Sequence, residues 1–95
     1  MGKQDTTAPA LGSKRAIIAY LDAACEAGEP EKIAEALGTV MRSVGMAKVA
    51  RETGLGRENL YISFSASGNP RLSTLTAVLG VLGLRLALKP TTTEP

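Results

Sequence analysis

The stretch that most constrains the fold of this chain is ARETGLGRENLY, residues 50–61. Two short segments with helical periodicity lie on either side of Gly54 and Gly56 here. Ala50 supplies the small residue that two crossing helices need, Gly54 lets the chain leave the first helix with a positive φ, and Leu55 fills the space between them. Gly56 then takes the cap position of the second helix. Two short helices joined by such a turn are typical of a helix-turn-helix.

Three polar residues, Arg57, Glu58 and Asn59, begin the second helix. A helix that reads DNA presents its first side chains to base edges and its first amides to phosphate, so its first turn is polar. Arginine can bind guanine and asparagine can bind adenine in bidentate fashion, while Glu58 can accept from cytosine or orient Arg57. A polar helix start is also an ordinary surface feature, so the triplet alone leaves both interpretations open.

The rest of the chain favours an all-α bundle of about five helices. Apolar residues make up 44% of its 95 residues but aromatic residues only 3%, a mixture that suits packed helices. Ser13 caps a first helix that Gly28 ends, and Pro30 begins a second that Gly45 stops. Two further helices flank Gly54, and a last one begins at Leu72 or Ser73. The predicted core positions are Ile17, Tyr20, Leu21, Ala24, Cys25, Ile33, Leu37, Val40, Met41, Val44, Met46, Val49, Ala50, Leu60, Phe64, Leu75, Val78, Leu79 and Leu82.

After Gly83 the apolar period changes from helical to alternating, with Leu84, Leu86 and Leu88 separated by polar or small residues. Alternation predicts a β-strand. No second alternating segment exists to pair with it, so we expect the same strand of a second copy to pair antiparallel across a two-fold axis. Such a homodimer would set two recognition helices about 34 Å apart on a palindromic operator. Alternatively, these residues extend the last helix or fold back on their own monomer.

Charge divides the chain. Residues 42–89 hold seven basic and two acidic residues, a balance of +5, whereas residues 13–41 hold three basic and five acidic residues, a balance of −2. A basic half suits a polyanion, although it is also common as a solvated surface. Arg71 follows a rigid Asn-Pro turn and is the preferred phosphate contact. The candidate DNA-binding residues are Lys48, Arg51, Arg57, Glu58, Asn59, Tyr61, Asn69 and Arg71.

Several functions have no support in the sequence. Histidine is absent, no carboxylates cluster in a glycine-rich setting, and no nucleotide-binding loop occurs, so we expect neither an enzyme nor a metal or cofactor. Cys25 is the single cysteine and is expected to be a buried, inert thiol. No apolar run is long enough to span a membrane and no leader is evident, which predicts a cytoplasmic protein. We expect residues 13–89 to form one domain, with disordered tails at 1–12 and 90–95.

Three segments, GMAKVARETGLGRENLY, GNPRLSTL and VLGLRLALKP, resemble the addiction-module antidote proteins, antitoxins of the Xre/Cro-like helix-turn-helix (HigA-like) family. The resemblance implies a homodimer that binds double-stranded operator DNA, represses its own operon and neutralises a RelE/ParE-like toxin. The acidic segment from Asp22 to Glu35 could bind such a basic ribonuclease, or could simply place acids near helix N-termini. The alternatives are a prophage-type Cro-like transcriptional regulator without a toxin, and a toxin-binding module whose DNA surface is vestigial.

Overall fold

The computed structural model describes residues 11–91, and these form five α-helices. The helices are α1 (Lys14–Ala27), α2 (Pro30–Val44), α3 (Met46–Thr53), α4 (Arg57–Ser63) and α5 (Leu72–Val81). The expected all-α class and the number of helices are therefore confirmed. The predicted tails fall largely at residues 1–10 and 92–95, which lie outside the described residues, so their disorder stays a prediction.

The helix ends lie where the local sequence predicts them. The Ser13 hydroxyl accepts a hydrogen bond from the Ala16 amide at 3.1 Å and caps α1. Gly28 ends the same helix with φ 73°. Gly45 has φ 120° and is at once the last cap of α2 and the first cap of α3. One residue thus sets the angle between these two helices.

The core lies around α2, whose inner face is fully buried. Val40 and Met41 have no solvent exposure, and Phe64 at the end of α4 is 1% exposed. The prediction that Met41 and Met46 fill the core is confirmed. Leu11 is also buried, although the sequence places it in the N-terminal tail. The core therefore begins two residues before the cap of α1.

Gly38 of α2 lies directly against the backbone of Phe64, the residue that caps α4. A Cβ at this position would overlap the Phe64 carbonyl oxygen and lie 3.3 Å from the Phe64 carbonyl carbon. Glycine is the residue that permits this approach, because any larger side chain would push the two backbones apart. Gly38 thereby fixes how deeply α4 sits against the centre of the bundle.

The predicted C-terminal strand is not found. The described residues, 11–91, contain no strand, and residues 84–91 are irregular after α5 ends. The segment folds back on its own monomer: Lys14 Nζ donates to the Gly83 carbonyl oxygen at 3.5 Å, and Lys89 Nζ lies 3.3 Å from an Asp22 carboxylate oxygen. These contacts hold the chain along α1, where it meets no extended backbone that could complete a ladder.

The three leucines of this segment are consequently not equivalent. Leu84 packs against the core of its own chain, Leu86 is half exposed, and Leu88 is 98% exposed. The alternating pattern predicted that all three share one face of a strand and form the dimer contact. Because residues 84–91 form no strand, the three leucines do not share one face. The structure therefore does not support pairing of this segment as a strand across a dimer.

Cys25 is exposed, and the expectation of a buried thiol is wrong. Among the helices of the described chain, α1 contacts α2 alone, and its inward stripe is Ile17, Tyr20 and Leu21. Cys25 lies in the last turn, at the edge of that stripe, where no second helix covers it. The apolar pattern of α1 predicts a wider buried face than contact with one helix provides, so Cys25 at the edge of this pattern stays exposed.

Candidate functional site

The turn between α3 and α4 is held by the side chain of Thr53. Its hydroxyl donates to the Val49 carbonyl oxygen at 2.7 Å and accepts from the Leu55 amide at 3.2 Å. Gly54 ends α3 with φ 76°, as its position predicts. The turn therefore has a single defined path, which orients the first residues of α4 relative to α3.

An open depression of about 610 Å³ surrounds the start of α4. It is lined by Gly56 and by four of the candidate residues: Arg57, Glu58, Asn59 and Tyr61. All four candidates are exposed, Tyr61 at 40%. The polar triplet and the tyrosine thus form one surface.

A second depression of about 330 Å³ continues this surface toward α5 and shares Gly56 and Asn59 with the first. Two more candidates, Asn69 and Arg71, line it together with Ser63 and Thr74. The loop before α5 reaches this place because Gly68 packs against the carbonyl groups of Ile62 and Ser63 and its amide donates to Ser65. Six candidate residues therefore line one continuous groove.

Sequence reasoning missed Ser63 and Thr74. Both are short polar residues on helices that are separate in the sequence, and neither belongs to a motif. Only the folded loop between α4 and α5 brings them to the second depression.

Lys48 and Arg51 lie elsewhere. Both are exposed on α3, three residues apart and so on one side of that helix, but neither lines the two depressions. The structure thus gathers six of the eight candidates and leaves these two on the neighbouring helix.

The polar side chains of the groove have no partners within residues 11–91. No hydrogen bond or ion pair of the described chain engages the side chains of Arg57, Glu58, Asn59 or Arg71. The described ion pair joins Lys89 of the C-terminal segment to Asp22 of α1, outside the groove. The expected role of Glu58 in orienting Arg57 is therefore not seen. Gly56 gives α4 no side-chain cap. These groups remain available to an external ligand.

The groove suits a polar ligand that lies across an open surface. Within the described residues, no three Cys, Asp or Glu side chains gather as metal ligands would. None of the described helices has the length and apolar character that crossing a bilayer requires. The fold and the site together define a small helical protein with a polar surface at the turn between two helices, where residues 11–91 supply these side chains with no partner.

Comparison with known proteins places the chain more narrowly. A protein family described as "Probable addiction module antidote protein" matches residues 3–90. An uncharacterized protein of Haemophilus influenzae is 34% identical over 79 residues, which cover 83% of this chain and 81% of that protein. None of the solved structures matches. The chain belongs to this family of addiction module antidote proteins, that is, to an antitoxin family.

Proposed function

We infer that this protein is the antitoxin of a type II toxin–antitoxin module, a binding protein without catalytic activity. It binds operator DNA through α3 and α4 as a helix-turn-helix of the Xre/Cro type, represses its own operon, and neutralises a RelE/ParE-like toxin by binding it. The family supports the antitoxin role. The observation that carries DNA binding is the groove, in which six exposed polar or aromatic residues surround the start of α4.

The chemistry of the groove fits duplex DNA. Arg57 and Asn59 stand in the first turn of α4, the part of a recognition helix that reaches base edges in the major groove. Arg71 and Asn69 lie beside them at the start of α5, where they can contact the flanking phosphates. Because these side chains have no partner inside the described chain, binding DNA breaks no existing contact.

A binding titration on the full chain tests this assignment. The DNA duplexes are the region upstream of its own gene and a scrambled sequence of equal length. The Arg57→Ala variant is expected to lose about 1–3 kcal/mol on the operator and little on the scrambled duplex. Lys32, exposed on α2 outside the groove, gives the matched control: Lys32→Ala should bind both duplexes as the parent does. Equal losses of Arg57→Ala on both duplexes contradict base reading.

Salt dependence separates phosphate contacts from base contacts. Arg71→Ala and Lys48→Ala are expected to weaken both duplexes alike and to lower the slope of log K against log salt by about one unit each. An unchanged slope means that the side chain does not contact the DNA backbone.

The toxin surface is assigned to the acidic half of the molecule. Glu31 and Glu35 are both exposed on α2 and stand four residues apart, so they share one face of that helix. A ribonuclease that binds RNA is basic, and complementary charge raises the rate and specificity of association. The groove on α4 stays free in this arrangement, which allows one molecule to hold DNA and toxin.

Co-purification with the product of the neighbouring gene tests the toxin assignment. The double variant Glu31→Gln and Glu35→Gln should bind that protein more weakly, whereas Glu52→Gln, which removes a charge from α3, should not. A neighbouring gene that encodes no basic, toxic protein, together with intact operator binding, would instead favour a regulator without a toxin.

A further inference from the structure

The side of α4 that faces away from the core carries an exposed isoleucine. Ile62 is 63% exposed. Leu60 and Phe64, two residues before and two residues after it, are each 1% exposed and mark the side of the helix that is turned to the core. At about 100° per residue, Ile62 lies on the opposite side of the helix. Its side chain therefore points away from the bundle.

The backbone at Ile62 is held in place by the loop that follows α4. The Ser65 hydroxyl donates to the Ile62 carbonyl oxygen at 2.8 Å, and Gly68 packs against the same carbonyl group. Because isoleucine is branched at Cβ, its χ1 angle in a helix is restricted as well. The side chain is thus presented in a defined direction, so contact with a ligand costs little conformational entropy.

The surroundings of Ile62 on α4 are mainly polar. Glu58 and Asn59 stand four and three residues before it, on the same side of the helix, and both are exposed. Tyr61 lines the first depression and Ser63 lines the second, so Ile62 lies on the ridge of α4 between them. A protein interface needs a contiguous apolar centre, which a single isoleucine among these side chains does not provide.

Duplex DNA presents polar and apolar groups together in the way that this ridge requires. When α4 enters the major groove, its outermost side chains, Glu58 and Ile62, reach deepest. Thymine presents a methyl group on its edge in the major groove, whereas the other three bases present hydrogen-bonding groups alone. The side chain of Ile62 can neither donate nor accept, so packing it against a polar base edge would leave that edge without a partner. Thymine is therefore the base that Ile62 fits.

We propose that Ile62 determines specificity for a thymine in the operator by packing against the 5-methyl group of that base. This inference rests on the proposed DNA-binding function and extends it from hydrogen bonds at Arg57 and Asn59 to an apolar contact in the last turn of α4. Glu58 and Ile62 stand about 6 Å apart along the helix, a distance close to two base-pair steps of about 3.4 Å. The thymine is expected within about two base pairs of the base that Glu58 contacts.

Replacing thymine by deoxyuridine removes only the methyl group and so tests this contact. The full chain is titrated with the duplex from upstream of its gene, in which the thymines of the protected region are replaced one at a time. Replacement of the contacted thymine should weaken binding about fourfold, the effect of one buried methyl group. Ile62→Ala should bind the thymine and uracil duplexes equally, and should bind the scrambled duplex as the parent does. Ile18→Ala, at a position 47% exposed on α1, is the matched control and should keep the preference for thymine.

The other outcomes separate this contact from the function on which it rests. A parent protein that binds the upstream duplex but tolerates uracil at every position refutes the role of Ile62 and leaves DNA binding standing. A preference for thymine that persists in Ile62→Ala assigns the methyl contact to another residue and refutes the proposal as well. A parent protein that does not distinguish the upstream from the scrambled duplex refutes sequence-specific binding and the thymine contact together. Loss of co-purification with the neighbouring gene product in Ile62→Ala, with the preference for thymine unchanged, would assign Ile62 to a protein partner instead.

Discussion

The contact between Gly38 and Phe64 predicts that a Gly→Ala change inside a helix will destabilise this protein. Alanine is favoured over glycine in a helix interior by about 0.8–1.0 kcal/mol. At position 38 the added methyl group would overlap the Phe64 carbonyl oxygen, a backbone atom that no rotamer change can remove. Forcing extra volume into a packed contact costs about 1–3 kcal/mol. Because the obstacle here is backbone, we place the cost in the upper half of that range.

Gly38→Ala should therefore lower the free energy of unfolding by about 1–2 kcal/mol, the overpacking cost less the gain in helix propensity. Gly80 provides the matched comparison, since it also lies inside a helix but a Cβ there would have no atom within 4 Å. Gly80→Ala should raise the free energy of unfolding by about 0.5–1 kcal/mol.

Urea denaturation followed by circular dichroism measures both variants under the same conditions. The two midpoints should move in opposite directions with unchanged m-values, because neither variant alters the surface exposed on unfolding. In thermal scans each kcal/mol corresponds to about 4–8 °C for a domain of this size. If Gly38→Ala is as stabilising as Gly80→Ala, the backbones of α2 and α4 are not in contact, and the reasoning is refuted.

Three more substitutions or reactions test other parts of the structure. Gly56→Ser should stabilise the protein by about 0.2–0.5 kcal/mol in urea, because serine is the slightly better N-cap and its Cβ would lie 3.8 Å from the Asn59 amide nitrogen; a loss of stability would contradict the described start of α4. Phe64→Ala should cost about 3–5 kcal/mol, whereas Ile62→Ala, at a position 63% exposed, should change stability by less than about 0.5 kcal/mol; similar values for both would contradict the burial of Phe64. Cys25 should react with Ellman's reagent in the native protein nearly as fast as in urea, and protection until unfolding would show that the thiol is buried.

The helix boundaries could be predicted because their causes are local. Ser13 caps α1 through an amide three residues away, and Gly28, Gly45 and Gly54 adopt the positive φ values that glycine tolerates. Pro30 begins α2 at the position where its missing amide costs nothing. Each of these effects needs only a few neighbouring residues, so the sequence displays them directly.

The errors concern features that depend on distant neighbours. Alternating leucines predict a strand, but a strand forms only where a second extended backbone can pair with it. The segment after Gly83 contacts the helix α1 instead. Cys25 fits the apolar period of α1, but its exposure depends on how many helices cover α1. Leu11 precedes any periodic pattern and joins the core only because the folded bundle leaves space for it.

The candidate site was predictable to the extent that it is contiguous in sequence. Arg57, Glu58 and Asn59 lie together because one helix turn carries them. Asn69 and Arg71 could be named from their turn, but their position beside Asn59 depends on the packing of Gly68 against the end of α4. Because that contact depends on residues from separate parts of the chain, it produces no recognisable pattern in the sequence of either helix.

The one-sided packing of α1 also sets the order in which the molecule opens. A helix without a fully buried residue can detach at a lower free energy than the helices around Val40, so its amides should exchange with solvent through partial opening while the core stays protected. A ligand that binds α1 only while the helix is attached would raise the protection of its amides by mass action while that of the core would change less, which links the local stability of the N-terminal helix to binding on its surface.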